Sequence, residues 1–281
     1  MSAMLKPHAP AATEAGYLEP ELLVERASGQ RRRTSLLFVH GINVGAWVWQ
    51  DHYLPCFAAA GFDCFAVSLR GHGASGGRDR IGQWRLNDYV TDVAGAVKRI
   101  GGPVVLVGHS MGGAVVQRYV RDGRKAAGMA LLASVPPWGL GPSALHMSLT
   151  APHLLPKLSG LLSGHVPQVD PGTMREVLFS PDAPATLLET FAKRAGPESP
   201  LIATEIQGWP PIGPLAWQAP LTFVLGAAND RLIPAGEVWR TGLYYGSPPH
   251  IVPGLAHTVM VEPRWEDAAG RLKTWLLANF A

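Results

Sequence analysis

A serine, an aspartate and a histidine in this 281-residue chain each stand just past an apolar run. The serine is Ser110, in Gly108-His109-Ser110-Met111-Gly112. A serine hydroxyl is a poor nucleophile until a base takes its proton. The spacing G-x-S-x-G exposes such a hydroxyl when a strand runs into the serine and a helix leaves it. Ser110 has VVLVG before it and GGAVVQRYV after it, as that turn requires. The same spacing recurs at Gly73-Ala74-Ser75-Gly76-Gly77, but inside a polar loop, so Ser75 is set aside. An ordinary strand–turn–helix connection at Ser110 is the weaker alternative.

Histidine suits the role of base because its unperturbed pKa lies near neutrality. Among 10 histidines, His257 stands out by position: GLAHTVMVEP lies between the last apolar run and the last helical stretch. An acid to orient it is expected between serine and histidine in chain order, past a strand end. Asp230 in LTFVLGAAND-RLIP meets that condition. Each residue alone has a bland reading, a turn aspartate or a loop histidine; the three together in this order do not. Glu262, Asp182 and Asp170 compete for the acid role. Glu262 also fits the start of the last helix, where a carboxylate favours the dipole. A negative oxygen formed at the attacked carbon needs two donors. The backbone N–H of Met111, at a helix start, supplies one. The second is expected from the loop at His40-Gly41-Ile42.

These residues need a frame. Ser35–Val39, Asp63–Leu69, Val104–Val107, Met129–Ala133, Leu221–Leu225 and His250–Val252 read as strands. Helices are read over Ala46–Ala60, from an N-cap at Asp88 to about Ile100, and over Ala114–Arg121, Glu237–Gly242 and Trp265–Phe280. Strand and helix alternate, which argues for a mostly parallel central sheet flanked by helices, an α/β fold. The interval from Trp138 to Trp217 breaks the alternation. LLPKLSGLLSG and TLLETFAKRAG have helical spacing, and GWPPIGPLAWQAP is a proline-rich return. The division expected is a core of residues 17–137 and 219–281, an inserted helical cap at 138–218, and a loose lead-in at 1–16.

Composition excludes several classes. With 47% hydrophobic and 16% charged residues the chain is not disordered. The net charge of +3 includes one dense basic run, Arg31-Arg32-Arg33, which reads as a solvated strand end rather than a nucleic-acid surface. Cys56 and Cys64 form no C-x-x-C pair and read as reduced packing residues. No leader or membrane span is apparent, so a cytoplasmic protein is expected. Gly71-His72-Gly73-Ala74-Ser75-Gly76 spells a dinucleotide fingerprint, but the following RDRIGQWRLNDY opens no helix. No metal cluster is evident: His72 and His109 lack partners at ligand spacing.

Taken together, FVHGINVGAWVW, AVSLRGHGAS, VLVGHSMGG, VLGAANDRLIP and AHTVMVEP resemble the α/β-hydrolase superfamily. The resemblance implies an eight-stranded, mostly parallel sheet with the site at its carboxyl edge and a lid above. It implies Ile42 as the second oxyanion donor; separately, no cofactor is expected. Serine at position 110 sets the chain apart from the dehalogenase and epoxide-hydrolase branches, which use an aspartate. It looks closest to the serine esterase, lysophospholipase and monoglyceride-lipase-like branch.

The function expected is hydrolysis of a carboxylic ester of a small apolar acyl substrate through an acyl-enzyme. The alternatives are the same triad acting on a thioester, amide, lactone or carbon–carbon bond, a lyase reaction, or a non-catalytic binding protein. Trp138, Trp209 and Trp217 either line an apolar pocket under the cap or pack the cap onto the body. The sequence leaves the oligomeric state open.

Overall fold

The computed structural model describes residues 19–156, 171–208 and 210–280. Seven strands form one sheet in the order β1-β3-β2-β4-β5-β6-β7. They are β1 Leu22–Glu25, β2 Ser35–Val39, β3 Cys64–Val67, β4 Val104–His109, β5 Gly128–Leu132, β6 Thr222–Ala227 and β7 His250–Val252. All neighbours pair in parallel except β1, which runs antiparallel to β3 along one edge. Seven strands thus stand among the described residues where the resemblance implies eight.

The interior strands are apolar without alternation because both faces of the sheet are covered. Leu36, Phe38, Val105, Val107 and Leu132 pack on one face, with α1 Tyr53–Ala59 and the last helix. Leu37, Val39, Val104, Leu106 and Leu131 pack on the other, with α2 Leu86–Ile100 and α3 Met111–Arg121.

Two helix readings need correction. Ala46–Ala60 is not one helix: a 3-10 turn over Ala46–Trp49 precedes α1. Pro55 has no N–H to donate within a longer helix, whereas a start at Tyr53 places it harmlessly in the first turn. Asp88 is not the N-cap of α2. It lies one turn inside, and its carboxylate accepts the N–H of Arg85 at 2.8 Å, so it caps from the third helical position.

Between β5 and β6 the described residues form helices and no strand: α4 Gly141–Thr150, α5 Pro171–Leu178, α6 Ala185–Arg194 and α7 Pro200–Glu205. Most of the helical stretch LLPKLSGLLSG, together with Trp209 and Asp170, lies outside the described residues. The chain then returns through β6, α8 Ala235–Tyr244, β7 and α9 Trp265–Phe280.

The sheet order sets where a site forms. After β2 the chain goes to β3 on one side, then crosses to β4 on the other. Loops leaving β2 and β4 therefore diverge at their carboxyl ends, and the crevice between them is where ligands bind in such sheets. Among the described residues, no helix is long and apolar enough to cross a membrane.

Candidate active site

Ser110 follows β4 directly and is held at φ 52°, ψ −121°, a backbone conformation that L residues rarely adopt. The Ser110 N–H donates to Leu132 O at 3.2 Å, and the Ser110 carbonyl accepts the N–H groups of Gly113 and Val135. These bonds hold the strained turn. The flanking glycines are required by close approach: a Cβ on Gly108 would sit 2.6 Å from Gly113 Cα, and one on Gly112 would collide with the Val39 carbonyl. The second motif serine, Ser75, is buried instead as a loop brace, donating to Ser68 O at 2.6 Å and accepting the Glu21 N–H at 2.8 Å.

Asp230 lies past β6 and His257 past β7. The structure brings both to Ser110. His257 Nε2 is 2.9 Å from Ser110 Oγ, and His257 Nδ1 is 2.8 Å from Asp230 Oδ2. All three residues are buried. Asp230 Oδ1 accepts the N–H groups of Leu232 and Ile233 at 2.8 and 2.9 Å, which fixes the carboxylate plane. A carboxylate so placed orders the imidazole with Nδ1 protonated and leaves Nε2 free to accept the serine proton.

His109 braces this arrangement. Its Nε2–H donates to the His257 carbonyl at 2.9 Å, and the two rings lie 4.9 Å apart. Burial, then the neighbouring His257, hold the His109 pKa well below its ordinary value, so the ring is neutral. Thr258 adds a second brace, its N–H donating to Leu178 O at 3.1 Å at the end of α5. Neither contact is readable from composition; the proximity of His109 to the motif serine was the available signal.

The competing acids lie elsewhere. Glu262 does not cap the last helix, which begins at Trp265. It is buried and accepts the Ser180 hydroxyl, the Ser180 N–H and the Ala256 N–H at 3.0 Å. It ties the loop of His257 to the chain past α5. Burial raises its pKa despite those donors. Asp182 is exposed, its carboxyl lowered by the Ser180 hydrogen bond.

The loop after β2 carries Gly41 and Ile42. His40 Nδ1–H donates to Gly41 O at 2.7 Å, while its Nε2 accepts the Leu69 N–H at 3.0 Å. Burial, reinforced by His72, pushes the His40 pKa down to about 3, so this pattern of one donor and one acceptor persists across the neutral range. Met111 begins α3, where backbone N–H groups lack partners within the helix.

A cavity of about 250 Å³ opens onto Ser110 and His257. Its walls are apolar: Val48, Met147, Leu178, Phe191, Ile206 and Ile233 stand among them. Several come from the helices between β5 and β6. Trp138 and Trp217 do not line it. Trp138 turns away to donate to Glu237 at 2.8 Å beneath the Arg240 guanidinium, and Trp217 is 80% exposed.

The Alpha/beta hydrolase family model matches residues 36–269. The chain belongs to that family. It is 29% identical over 242 residues to a monoacylglycerol lipase of Mycolicibacterium smegmatis, covering 81% of this chain and 82% of that one. It is 36% identical over 106 residues to a non-heme haloperoxidase of Rhodococcus erythropolis, covering 36% of this chain and 37% of that one. Among solved structures, a thermophilic esterase from Thermogutta terrifontis superposes with a TM-score of 0.71 at 20% identity, covering 97% of this chain and 98% of that one.

Proposed function

We propose that this chain is a serine hydrolase that cleaves a carboxylic ester of a small apolar acyl group. The observation that carries the reading is the unbroken contact Ser110–His257–Asp230, at 2.9 and 2.8 Å, opening onto an apolar cavity. Ser110 Oγ attacks the ester carbonyl carbon as His257 Nε2 takes its proton. The carbonyl π pair moves to oxygen, and that oxyanion accepts the N–H groups of Met111 and Ile42. Collapse expels the alcohol, which leaves with the proton from His257. Water then attacks the acyl-enzyme by the same steps and frees the acid.

The monoacylglycerol lipase and esterase relatives support an ester as the bond cleaved. Residues 138–218 act as a cap on a core of 17–137 and 219–281, because α4, α5, α6 and the two residues after α7 supply much of the cavity wall. The Leu140, Met147 and Phe191 side chains take the apolar part of the substrate.

The experiment is hydrolysis of p-nitrophenyl acyl esters from acetate to palmitate by wild type and Ser110→Ala. Wild-type release of nitrophenol that falls to background in the variant supports the reading. A variant as active as wild type overturns it. A wild type inert on every ester also overturns the ester assignment.

A further inference from the structure

We propose that Asn43 is a positioning residue of this reaction, locking the loop that carries the Ile42 N–H onto the chain between α6 and α7. It deepens the serine-hydrolase reading and rests on it.

Asn43 follows Ile42 and makes two bonds to one distant residue. Its Nδ2 donates to Gly196 O at 2.9 Å, and the Gly196 N–H donates back to Asn43 O at 2.8 Å. The residue is 4% exposed and lines the cavity. Its φ of 62° is left-handed, a conformation asparagine tolerates far better than β-branched side chains do. Side chain and carbonyl are thus both tethered at the point where the backbone turns sharply.

The residue on the other side of Ile42 is tethered too. Gly41 O, which accepts from His40 Nδ1–H, belongs to the same planar peptide as the Ile42 N–H. Fixing that oxygen fixes the opposite direction of the N–H. Ile42 therefore lies between two pinned residues. A donor to a developing oxyanion is effective when it is aimed before the charge appears. A loop leaving a strand end is otherwise free to reorient its peptides.

The far anchor is itself rigid. Two residues past Gly196, the buried Glu198 accepts from Tyr89 Oη at 2.7 Å and His72 Nε2 at 3.1 Å. Ser199 Oγ donates to Trp84 O at 2.6 Å. Asn43 thus hooks the oxyanion loop to a strap bolted to the core.

The test uses Asn43→Gly, which keeps the left-handed backbone and removes the carboxamide. Gly196→Pro removes the other donor from the strap side; Ala195 already has the extended backbone, φ −64° and ψ 146°, that a residue before proline adopts. The readouts are kcat and KM on p-nitrophenyl butyrate, and inhibition by an alkylboronic acid, whose adduct with Ser110 carries a negative tetrahedral centre. Both variants are expected to lose about tenfold to a hundredfold in kcat, a share of what a whole donor is worth. KM should stay within about twofold, and boronate inhibition should weaken in parallel with kcat. An unchanged kcat, or a loss confined to KM or to the unfolding temperature, overturns the proposal. If Asn43→Gly does not fold, a normal kcat in Gly196→Pro overturns it alone. A wild type that neither hydrolyses the ester nor binds the boronate overturns the underlying reading, and this proposal with it.

Discussion

His72 Nε2 lies 3.1 Å from the Glu198 carboxylate, and both groups are buried, so an internal hydrogen bond joins the loop after β3 to the strap between α6 and α7. Burial pulls the His72 pKa down, but the Glu198 charge, its hydrogen bond and the Arg70 carbonyl together leave it raised above 6.5. Burial pushes Glu198 up, but the His72 charge and the hydrogen bonds from His72, Tyr89 and Ser199 leave it lowered below 4.5. A histidine raised in the folded state stabilises fully below its unfolded pKa and loses that contribution as pH rises through the folded one. A carboxylate lowered in the folded state does the reverse. The pair therefore contributes in full between 4.5 and 6.5, and fades on the alkaline side as His72 gives up its proton. His72→Ala leaves a buried carboxylate without its countercharge and is expected to cost about 3–5 kcal/mol in urea unfolding. His72→Gln keeps a donor and should cost less. Its deficit against wild type should shrink between about pH 6 and about pH 9. An equal deficit at both values would show that His72 is uncharged.

Substitutions at Asp230 and Glu262 distinguish the proposed orienting acid from a carboxylate that only ties segments together. In Asp230→Asn the amide oxygen can keep the Leu232 and Ile233 N–H groups, but the NH₂ then faces His257 Nδ1. The imidazole must turn to the tautomer with its proton on Nε2, which leaves no lone pair for Ser110. A fall of about 10⁴ in kcat is expected with little change in unfolding temperature. Glu262→Gln should show the opposite pattern. It weakens the contacts to Ser180 and Ala256 and costs about 1–3 kcal/mol of stability, with kcat within a few-fold of wild type. A kinetic collapse in Glu262→Gln alone would assign the acid role to it.

Ala144 lines the cavity on the partly exposed face of α4. Ala144→Phe places a ring across the opening without disturbing a buried helix face. The loss in kcat/KM should grow with acyl length, by roughly tenfold or more between acetate and octanoate esters. This follows from about 1–3 kcal/mol for each methylene a pocket discriminates. A loss independent of chain length would place the acyl group elsewhere.

The approach of Ser110, His257 and Asp230 was legible because each follows an apolar run in a fixed chain order, and a strand end is the feature a sequence displays best. Ser35–Val39, His250–Val252 and Trp265–Phe280 came out with the expected bounds for the same reason. β1 escaped notice: four residues at a sheet edge carry almost no pattern. The Asn43–Gly196 contact was also invisible, since it joins residues 153 apart in segments without periodicity. Glu198 gave no signal, because burial of a charge shows only once its partners are in place. For Trp138 and Trp217 two readings stood open, pocket wall or packing of the cap on the body. Aromatic character promises an apolar contact but does not say with which surface, and Trp138, in the turn before α4, packs against Tyr244 and donates to Glu237 instead of lining the cavity.

The backbone at Ser110 sets selection for durability against selection for turnover at a single position. A left-handed φ of 52° at a serine costs about 1–3 kcal/mol that a glycine there would not incur. One route to a sturdier fold therefore runs through the residue proposed as nucleophile. Lineages of this chain freed from the need to react should drift toward glycine at 110, while those still under that need must find their stability elsewhere, in the helices and loops that never meet the substrate.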